Sequence, residues 1–285
     1  VLNILVTGAA GQVGRELVEL CQREGDRVTA ADHAALDITD ASAVRATCDA
    51  VKPDAVVHAA SWTAVDACES DPERADAVNA VGARHVAEAA AAVGAHVVHI
   101  STDYVFDGTK PTPYVESDAP NPMSVYGRSK WDGEQHVHAA NDEAAIVRIS
   151  WVCGRYGKNM VKTLLRLAGD GVDPKFVDDQ IGHPTIVGDL VPMLRRFALE
   201  RRSGLFHVTN QGPVSWYEFA RLVFDAAGAD PKRVTPIATA DLDPPRPAPR
   251  PANSVLDNAA LRAAGIPLLP HHEESVVRLV RQLSS

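Results

Sequence analysis

The sequence lacks most of what would direct it to a membrane, an oxidising compartment or a nucleic acid. It holds no run of about 18 apolar residues, so no segment is expected to span a bilayer as a helix. The apolar stretch at 2–7 is too short for a signal peptide, lacks a basic leader, and reads as a first strand. Only four cysteines occur, Cys21, Cys48, Cys68 and Cys153, without a C-x-x-C or a cluster with histidine. They read as small core residues of a cytoplasmic protein in a reducing compartment. The 11 histidines are scattered, and even His271-His272 reads as lacking carboxylate or cysteine neighbours at ligand spacing, so no metal site is expected. Positive charge is also short. With 28 Lys and Arg against 37 Asp and Glu, the net charge of −9 argues against nucleic acid or an anionic membrane as partner. A phosphorylated ligand remains compatible, provided that local amides or arginines hold it.

What is present suffices for a sizeable core. A chain of 285 residues accommodates one large α/β domain or one and a half, and 46% hydrophobic with 23% charged residues is ordinary for a globular protein. Strand-like runs near 4–7, 27–31, 55–59, 96–101 and 145–150 alternate with helical ones at about 11–23, after Asp40, from Asp71 to about 92, and from Ser124. Asp71 suits an N-cap with Pro72 in the first helical position. Near-continuous apolar strands in this alternation predict a parallel, doubly wound sheet.

After Trp151 the rhythm loosens. A helix near 159–168, short strands near 176 and 183–185, a helix at 189–200 and a strand at 205–208 are expected. Ser215-Trp216-Tyr217-Glu218 is a capping box for a helix ending at Gly228, and a last helix covers about 273–283. The proline-rich stretch 243–251 fits neither helix nor central strand. The expected division is therefore 1–152 and a smaller, partly discontinuous lobe at 153–285, of which about 186–210 packs back on the first.

Between the first strand and first helix stands Thr7-Gly8-Ala9-Ala10-Gly11-Gln12-Val13-Gly14. In that context Gly8 permits a tight turn, Gly11 lets amides approach a pyrophosphate, and Gly14 allows close helix–sheet packing. The free N–H groups of the helix start would face the phosphates. Asp32 ends the second strand, where a carboxylate accepts from both ribose hydroxyls and repels a 2′-phosphate. NADH is thus favoured without NADPH being excluded. Asp37-Ile38 lies within reach of an adenine. His58-Ala59-Ala60-Ser61-Trp62-Thr63 supplies small residues either for backbone to pass under a cofactor or for sheet-top packing.

Tyr126 and Lys130, in Ser124-Val125-Tyr126-Gly127-Arg128-Ser129-Lys130, lie one helical turn apart on one face. An ammonium near a phenol lowers its pKa from about 10 towards neutrality. Such a tyrosine can protonate a carbonyl oxygen while a hydride reaches the carbon. Trp151 reads equally as a sugar platform or a core aromatic, and Asn159 as a helix cap or a diphosphate ligand. Arg250 is either part of a surface connector or, on a stiff proline arm with Arg246, a diphosphate ligand.

With Gly8-x-x-Gly11-x-x-Gly14, Ser101-Thr102 and Tyr126-x-x-x-Lys130, the chain resembles the extended short-chain dehydrogenase/reductase family. Ser101-Thr102-Asp103-Tyr104-Val105-Phe106-Asp107-Gly108, Ser150-Trp151-Val152, Asp179-Gln180-x-Gly182-x-Pro184-Thr185 and Arg250-Pro251-x-Asn253-Ser254 narrow the likeness to its reductases of dTDP-linked 4-keto sugars. The resemblance runs nearly end to end. It implies a Rossmann-type NAD(P)-binding domain at 1–152 and a nucleotide-sugar-binding lobe at 153–285, in a cytoplasmic monomer or homodimer. The implied reaction is NADPH- or NADH-dependent reduction of the C4 ketone of dTDP-4-dehydro-L-rhamnose to dTDP-L-rhamnose. Thr102, Tyr126 and Lys130 would be catalytic. Gly8, Gly11, Gln12, Val13, Gly14, Asp32, Asp37, Ile38, Ala59, Ala60, Thr63 and Asn79 would hold the cofactor with Tyr126 and Lys130. Thr102, Asp103, Trp151, Asn159 and Arg250 would meet the substrate. Cys153 departs from the aromatic that many relatives place there. Glu16 matches one of the acidic residues with which some relatives hold a cation between subunits, but no full set is found.

Three other readings stay open on this likeness: a nucleotide-sugar 4,6-dehydratase or epimerase, a non-catalytic regulatory subunit, and a reductase of a different deoxysugar. A dehydratase of the family places Asp-Glu directly after the threonine. Here Tyr104 follows Asp103, and it cannot be the second carboxylate.

Overall fold

Strands covered on both faces must be apolar along their whole length, and the first half of the chain supplies such runs. The computed structural model describes residues 1–284. It begins β1 (Asn3–Thr7), α1 (Gln12–Arg23), β2 (Arg27–Ala31), α2 (Ala41–Val51), β3 (Ala55–His58) and α3 (Val65–Ser70). One long helical stretch follows, made of α4 (Pro72–Asp76), a π-helical turn (Ala77–Val81) and α5 (Gly82–Ala92). Then come β4 (His96–Thr102), α6 (Val125–Ala140) and β5 (Ala145–Ile149). The remainder contains β6 (Val152–Cys153), α7 (Met160–Gly169), β7 (Lys175–Val177), β8 (Ile181–Gly182), β9 (Thr185–Ile186) and α8 (Val187–Glu200). It ends with β10 (Gly204–His207), β11 (Val214–Ser215), α9 (Trp216–Ala226), β12 (Thr235–Ile237), α10 (Ala259–Ala263) and α11 (His272–Ser284).

Six strands form one parallel sheet in the order β2-β1-β3-β4-β5-β10. This is the expected Rossmann-type sheet. Alternate residues of each strand enter opposite layers. Ile4, Val6, Val57, Val98 and Val147 pack under α1 and α8 with Leu17, Leu190, Leu194 and Phe197. Leu5, Val56, Val97 and Ile146 pack against Val44, Val86, Ala87, Ala90 and Val137 of α2, α5 and α6. A separate cluster of Val161, Leu164, Phe219, Val223, Phe224, Val276 and Leu279 joins α7, α9 and α11.

The register brings the carboxyl ends of the strands to one edge. Thr7 lies opposite both Ala31 and His58, and Thr102 opposite Ile149. The strand order reverses between β1 and β3, the position where open α/β sheets form a ligand crevice. Asp71 accepts from Arg74 N with Pro72 in the first turn, as the sequence predicts, and Ser124 accepts from Gly127 N at the start of α6. The helix expected from Asp71 to about 92 is present and contains the π turn. The strand expected at 183–185 is instead two short pieces, β8 and β9, either side of His183-Pro184. No helix among the described residues is long and apolar enough to cross a membrane.

Candidate active site

A cleft of about 530 Å³ opens over the carboxyl ends of β1, β3, β4 and β5. Its floor is the glycine turn. Gly8 has φ +67°, and a Cβ there would stand 2.6 Å from Ala60 N, so the loops after β1 and β3 pass backbone against backbone. A Cβ at Gly14 would fall 2.3 Å from Gly8 O, which makes glycine necessary where helix meets turn. Gly11 N-caps α1 with no side-chain hydrogen bond to the first-turn amides, and that turn carries no acidic residue. Gly11, Gln12, Val13 and Gly14 face the cleft. Uncapped amides at a positive helix end, kept clear of side chains, fit a dinucleotide pyrophosphate. Ala59, Ser61 and Thr63 form the neighbouring wall.

Thr102, Tyr126 and Lys130 meet on the same cleft. Lys130 is buried, and its Nζ donates to Ile100 O at 2.7 Å. Desolvation lowers its pKa to about 8, opposed by the Glu134 carboxylate one turn further along α6. Burial pushes the Tyr126 phenol well above its ordinary range, and contact with the Thr102 hydroxyl pulls the other way. The expected acidification of Tyr126 by Lys130 is therefore absent. The ammonium is directed to a strand carbonyl, and Tyr126 is buried against Cys68 and Ala75. Thr102 Oγ1 donates to Asp103 Oδ1 at 3.0 Å and accepts from Tyr104 N at 3.2 Å. Burial raises the Asp103 carboxyl to about 6. The Tyr104 ring stands edge-on to Tyr126, with centroids 5.6 Å apart.

At the other end of the cleft Trp151 stacks on Trp216, with centroids 3.7 Å and planes 10° apart, and Phe219 packs edge-on against both rings. Trp151 adopts φ +46°, which turns the chain out of β5 and presents the indole to the cleft. Trp216 was not singled out from the sequence. Its place in the capping box accounts for it as a helix start, and no local signal marks the ring as cleft-facing.

Several expected residues do not line the cleft. Asn79 is buried in the π turn with every amide atom used. Its Oδ1 accepts from Ser61 Oγ and Trp62 N, and its Nδ2 donates to Trp62 O and Ser129 Oγ. It braces the loop after β3 against α6. Asn159 N-caps α7 by accepting from Lys162 N, and its Nδ2 donates to Gln12 Oε1 and Gly154 O. Arg250 donates to Asp66 Oδ1 at 2.5 Å and Oδ2 at 2.8 Å. Asp32 lies just past β2 and accepts from Ala35 N, and Asp37 accepts from Thr39. Ile38 is buried against Gly82, and Gly8 and Ala60 form the layer beneath the cleft.

The reading of His271-His272 also changes, because Glu273 joins them with ligand atoms within 4.8 Å. The two rings stack, His271 Nε2 abuts Gly212, and His272 Nδ1 is paired with Gln211 O. Glu16 accepts from Arg155 N at 2.7 Å and faces away from the dinucleotide floor.

Known proteins resemble this chain over nearly its whole length. A dTDP-4-dehydrorhamnose reductase of Streptomyces griseus is 44% identical over 273 residues, 94% of this chain and 89% of the relative. The structure of a Clostridium acetobutylicum dTDP-4-dehydrorhamnose reductase superposes with TM-score 0.95 at 41% identity, covering 99% of both chains. That of a Bacillus anthracis dTDP-4-dehydrorhamnose reductase, in complex with NADP, gives TM-score 0.94 at 38% identity over 98% of both. The sequence profile of the RmlD substrate binding domain matches residues 2–285, and this chain belongs to that family.

Proposed function

We propose that the chain is an NAD(P)H-dependent reductase of the C4 ketone of dTDP-4-dehydro-L-rhamnose, giving dTDP-L-rhamnose. The observation that carries this reading is the convergence of Thr102, Tyr126 and Lys130 on a cleft floored by the uncapped start of α1. The relatives named above as dTDP-4-dehydrorhamnose reductases, one in complex with NADP, support the substrate and the cofactor. Residues 1–152 serve the cofactor and 153–285 the nucleotide sugar, while α8 and β10 of the second part complete the first layer. Gly11, Gln12, Val13 and Gly14 would hold the pyrophosphate, and Asp32, Asp37 and Ile38 would bound the adenosine end. Ala59 and Thr63 would flank the nicotinamide side.

When bound, the reduced nicotinamide supplies the hydride for the ketone carbon. The protein's part is to bind, orient and protonate. Thr102 turns its hydroxyl, now given to Asp103, towards the ketone oxygen. Tyr126 gives that oxygen its proton. A phenol held protonated by burial is in the state that reduction requires, and general-acid help of this kind is worth about 10²–10⁴-fold. The Lys130 ammonium, one turn away on α6, would bind the nicotinamide ribose. Trp151 and Trp216 offer an apolar wall to the sugar.

Tyr104 favours reduction over dehydration. It occupies the place after Asp103 where elimination of water needs a second carboxylate, and burial raises its phenol to about 12. The test is to mix purified protein, NADPH or NADH and dTDP-4-keto-6-deoxy sugars and follow the loss of reduced-nicotinamide absorbance. Oxidation mole for mole with keto sugar is expected. Product without net oxidation would indicate an epimerase or dehydratase, and cofactor binding without product a regulatory subunit.

A further inference from the structure

Tyr126, Lys130 and Glu134 recur at every fourth residue of α6, so the three side chains share one face of the helix. The proposed mechanism uses the first two. Glu134 is 1% exposed, and all its bonds lead to the strands beneath the cleft. Its Oε1 accepts from Ser101 Oγ at 2.5 Å and from Arg148 Nε at 2.8 Å, and its Oε2 accepts from Arg148 Nη2 at 2.7 Å. Ser101 precedes Thr102 on β4, and Arg148 is its register partner on β5. One carboxylate thus ties the helix that carries Tyr126 and Lys130 to the strand that carries Thr102.

Charge makes this more than a brace. A buried Glu–Arg pair costs heavily in desolvation and is a poor source of stability by itself. Its site also matters. The carboxylate bonds the buried guanidinium on β5 and follows the buried ammonium by one turn of α6. Other groups around Lys130 do not compete at working pH. His58 on β3 and His99 on β4 stack with centroids 5.2 Å apart, and burial holds His58 near 3 and His99 well below its usual range, so both stay neutral. Tyr126, on α6, is protonated. Asp103, past the end of β4, bonds to Thr102. The Glu134 carboxylate opposes the desolvation of Lys130, whose Nζ also donates to Ile100 O.

We infer that Glu134 is a positioning residue that keeps Lys130 protonated at its buried position, and that Arg148 tempers this effect by neutralising part of the carboxylate's charge. The inference rests on the proposed reductase chemistry only for its kinetic consequence. The two partners should act on Lys130 with opposite signs. Glu134→Gln keeps the shape and much of the hydrogen bonding but removes the negative charge, so the ammonium is less favoured. Arg148→Gln leaves the carboxylate uncompensated, so the ammonium is more favoured.

The test is an NMR titration of protein labelled at the lysine Cε carbons, with the Lys130 signal assigned by its loss in Lys130→Met. Relative to wild type, the Lys130 midpoint should fall by about one unit in Glu134→Gln and rise by a comparable amount in Arg148→Gln. Ser101→Ala, which keeps both charges, should leave it in place. The alkaline limb of NADPH turnover should follow the same signs. Midpoints that stay put, or move together in both variants, would reduce Glu134–Arg148 to a structural pin. If Glu134→Gln does not fold, Arg148→Gln decides alone, and an unmoved or lowered midpoint overturns the inference. A wild-type protein that never oxidises NADPH with a keto sugar would defeat the reductase reading while leaving the titration to decide this one.

Discussion

Asp66 on α3 grips the guanidinium of Arg250 with both carboxylate oxygens and also accepts from Ala248 N. A carboxylate therefore stands where the sequence led us to expect a substrate phosphate. The ion pair holds the proline-flanked arm across Tyr104, whose ring reaches Tyr126. For Arg250 to bind a diphosphate it must leave Asp66. Arg250→Ala should raise KM for the dTDP sugar by about ten-fold or more, the scale of one lost charge-assisted hydrogen bond. Asp66→Asn, which removes the competitor, should lower it. Steady-state kinetics decide, and a KM raised equally by both changes would make the pair a latch rather than a reserve ligand.

Tyr126→Phe removes the proton donor and leaves the packing against Cys68 and Ala75 nearly intact. kcat should fall by about 10²–10⁴-fold with NADPH affinity little changed. Retention of more than about half the activity, beyond what loss of a general acid allows, would exclude the assigned role.

Asp32→Ala should weaken NADH more than NADPH, because it deletes a ribose acceptor and a charge that repels a 2′-phosphate. Its bond to Ala35 N will be lost as well, so both affinities should drop somewhat. Fluorescence titration with each reduced cofactor separates the two effects. Equal losses would show that Asp32 does not reach the ribose.

Lys130 links activity and stability to pH in opposite directions. Its pKa falls from 10.5 to about 8 on folding, so between those values the unfolded chain binds a proton that the folded one does not. Unfolding free energy contributed by this residue therefore rises with pH across that window and is least favourable below it. Turnover, which needs the ammonium, should decline above about pH 8 over the same range. Subtracting the pH dependence of Tm in Lys130→Met from that of wild type isolates the first effect, and kcat against pH gives the second. A stability difference that falls as pH rises from 8 to 10.5 would contradict the buried-ammonium environment.

Local chemistry was legible in the sequence where it is written in neighbouring residues. The glycine turn, the Tyr126–Lys130 spacing and the caps at Asp71 and Ser215 each depend on a few consecutive positions, and each is found in place. What escaped depends on distant segments meeting. Arg250 and Asp66 are 184 residues apart, and nothing near either names the other. Asn79 looked like a cofactor residue, but an extra residue in its helical turn points it at Trp62 and Ser129, and such a turn leaves no compositional mark. Trp216 reads as a helix start until Trp151 is seen lying flat on it. The acidity expected of Tyr126 failed for a related reason, since spacing along a helix reports proximity and not how dry the surroundings are.

The return of the chain to its first layer bears on how this protein could have been assembled or cut. The sixth strand, β10, arrives only after the segments from β6 to α8 have been made, and it pairs with β5 from Gly204 to His207. A fragment ending at 152 would keep the glycine turn and the Tyr126–Lys130 pair, yet it would present β5 as a bare edge with Ile146 and Val147 beside it. It would also lack α8 over the face formed by Ile4, Val57 and Val98. Such an edge recruits other copies of itself. The cofactor half is thus no interchangeable cassette, and gene fusions or split-protein designs that sever the chain at that boundary should yield aggregates rather than a smaller dinucleotide-binding protein.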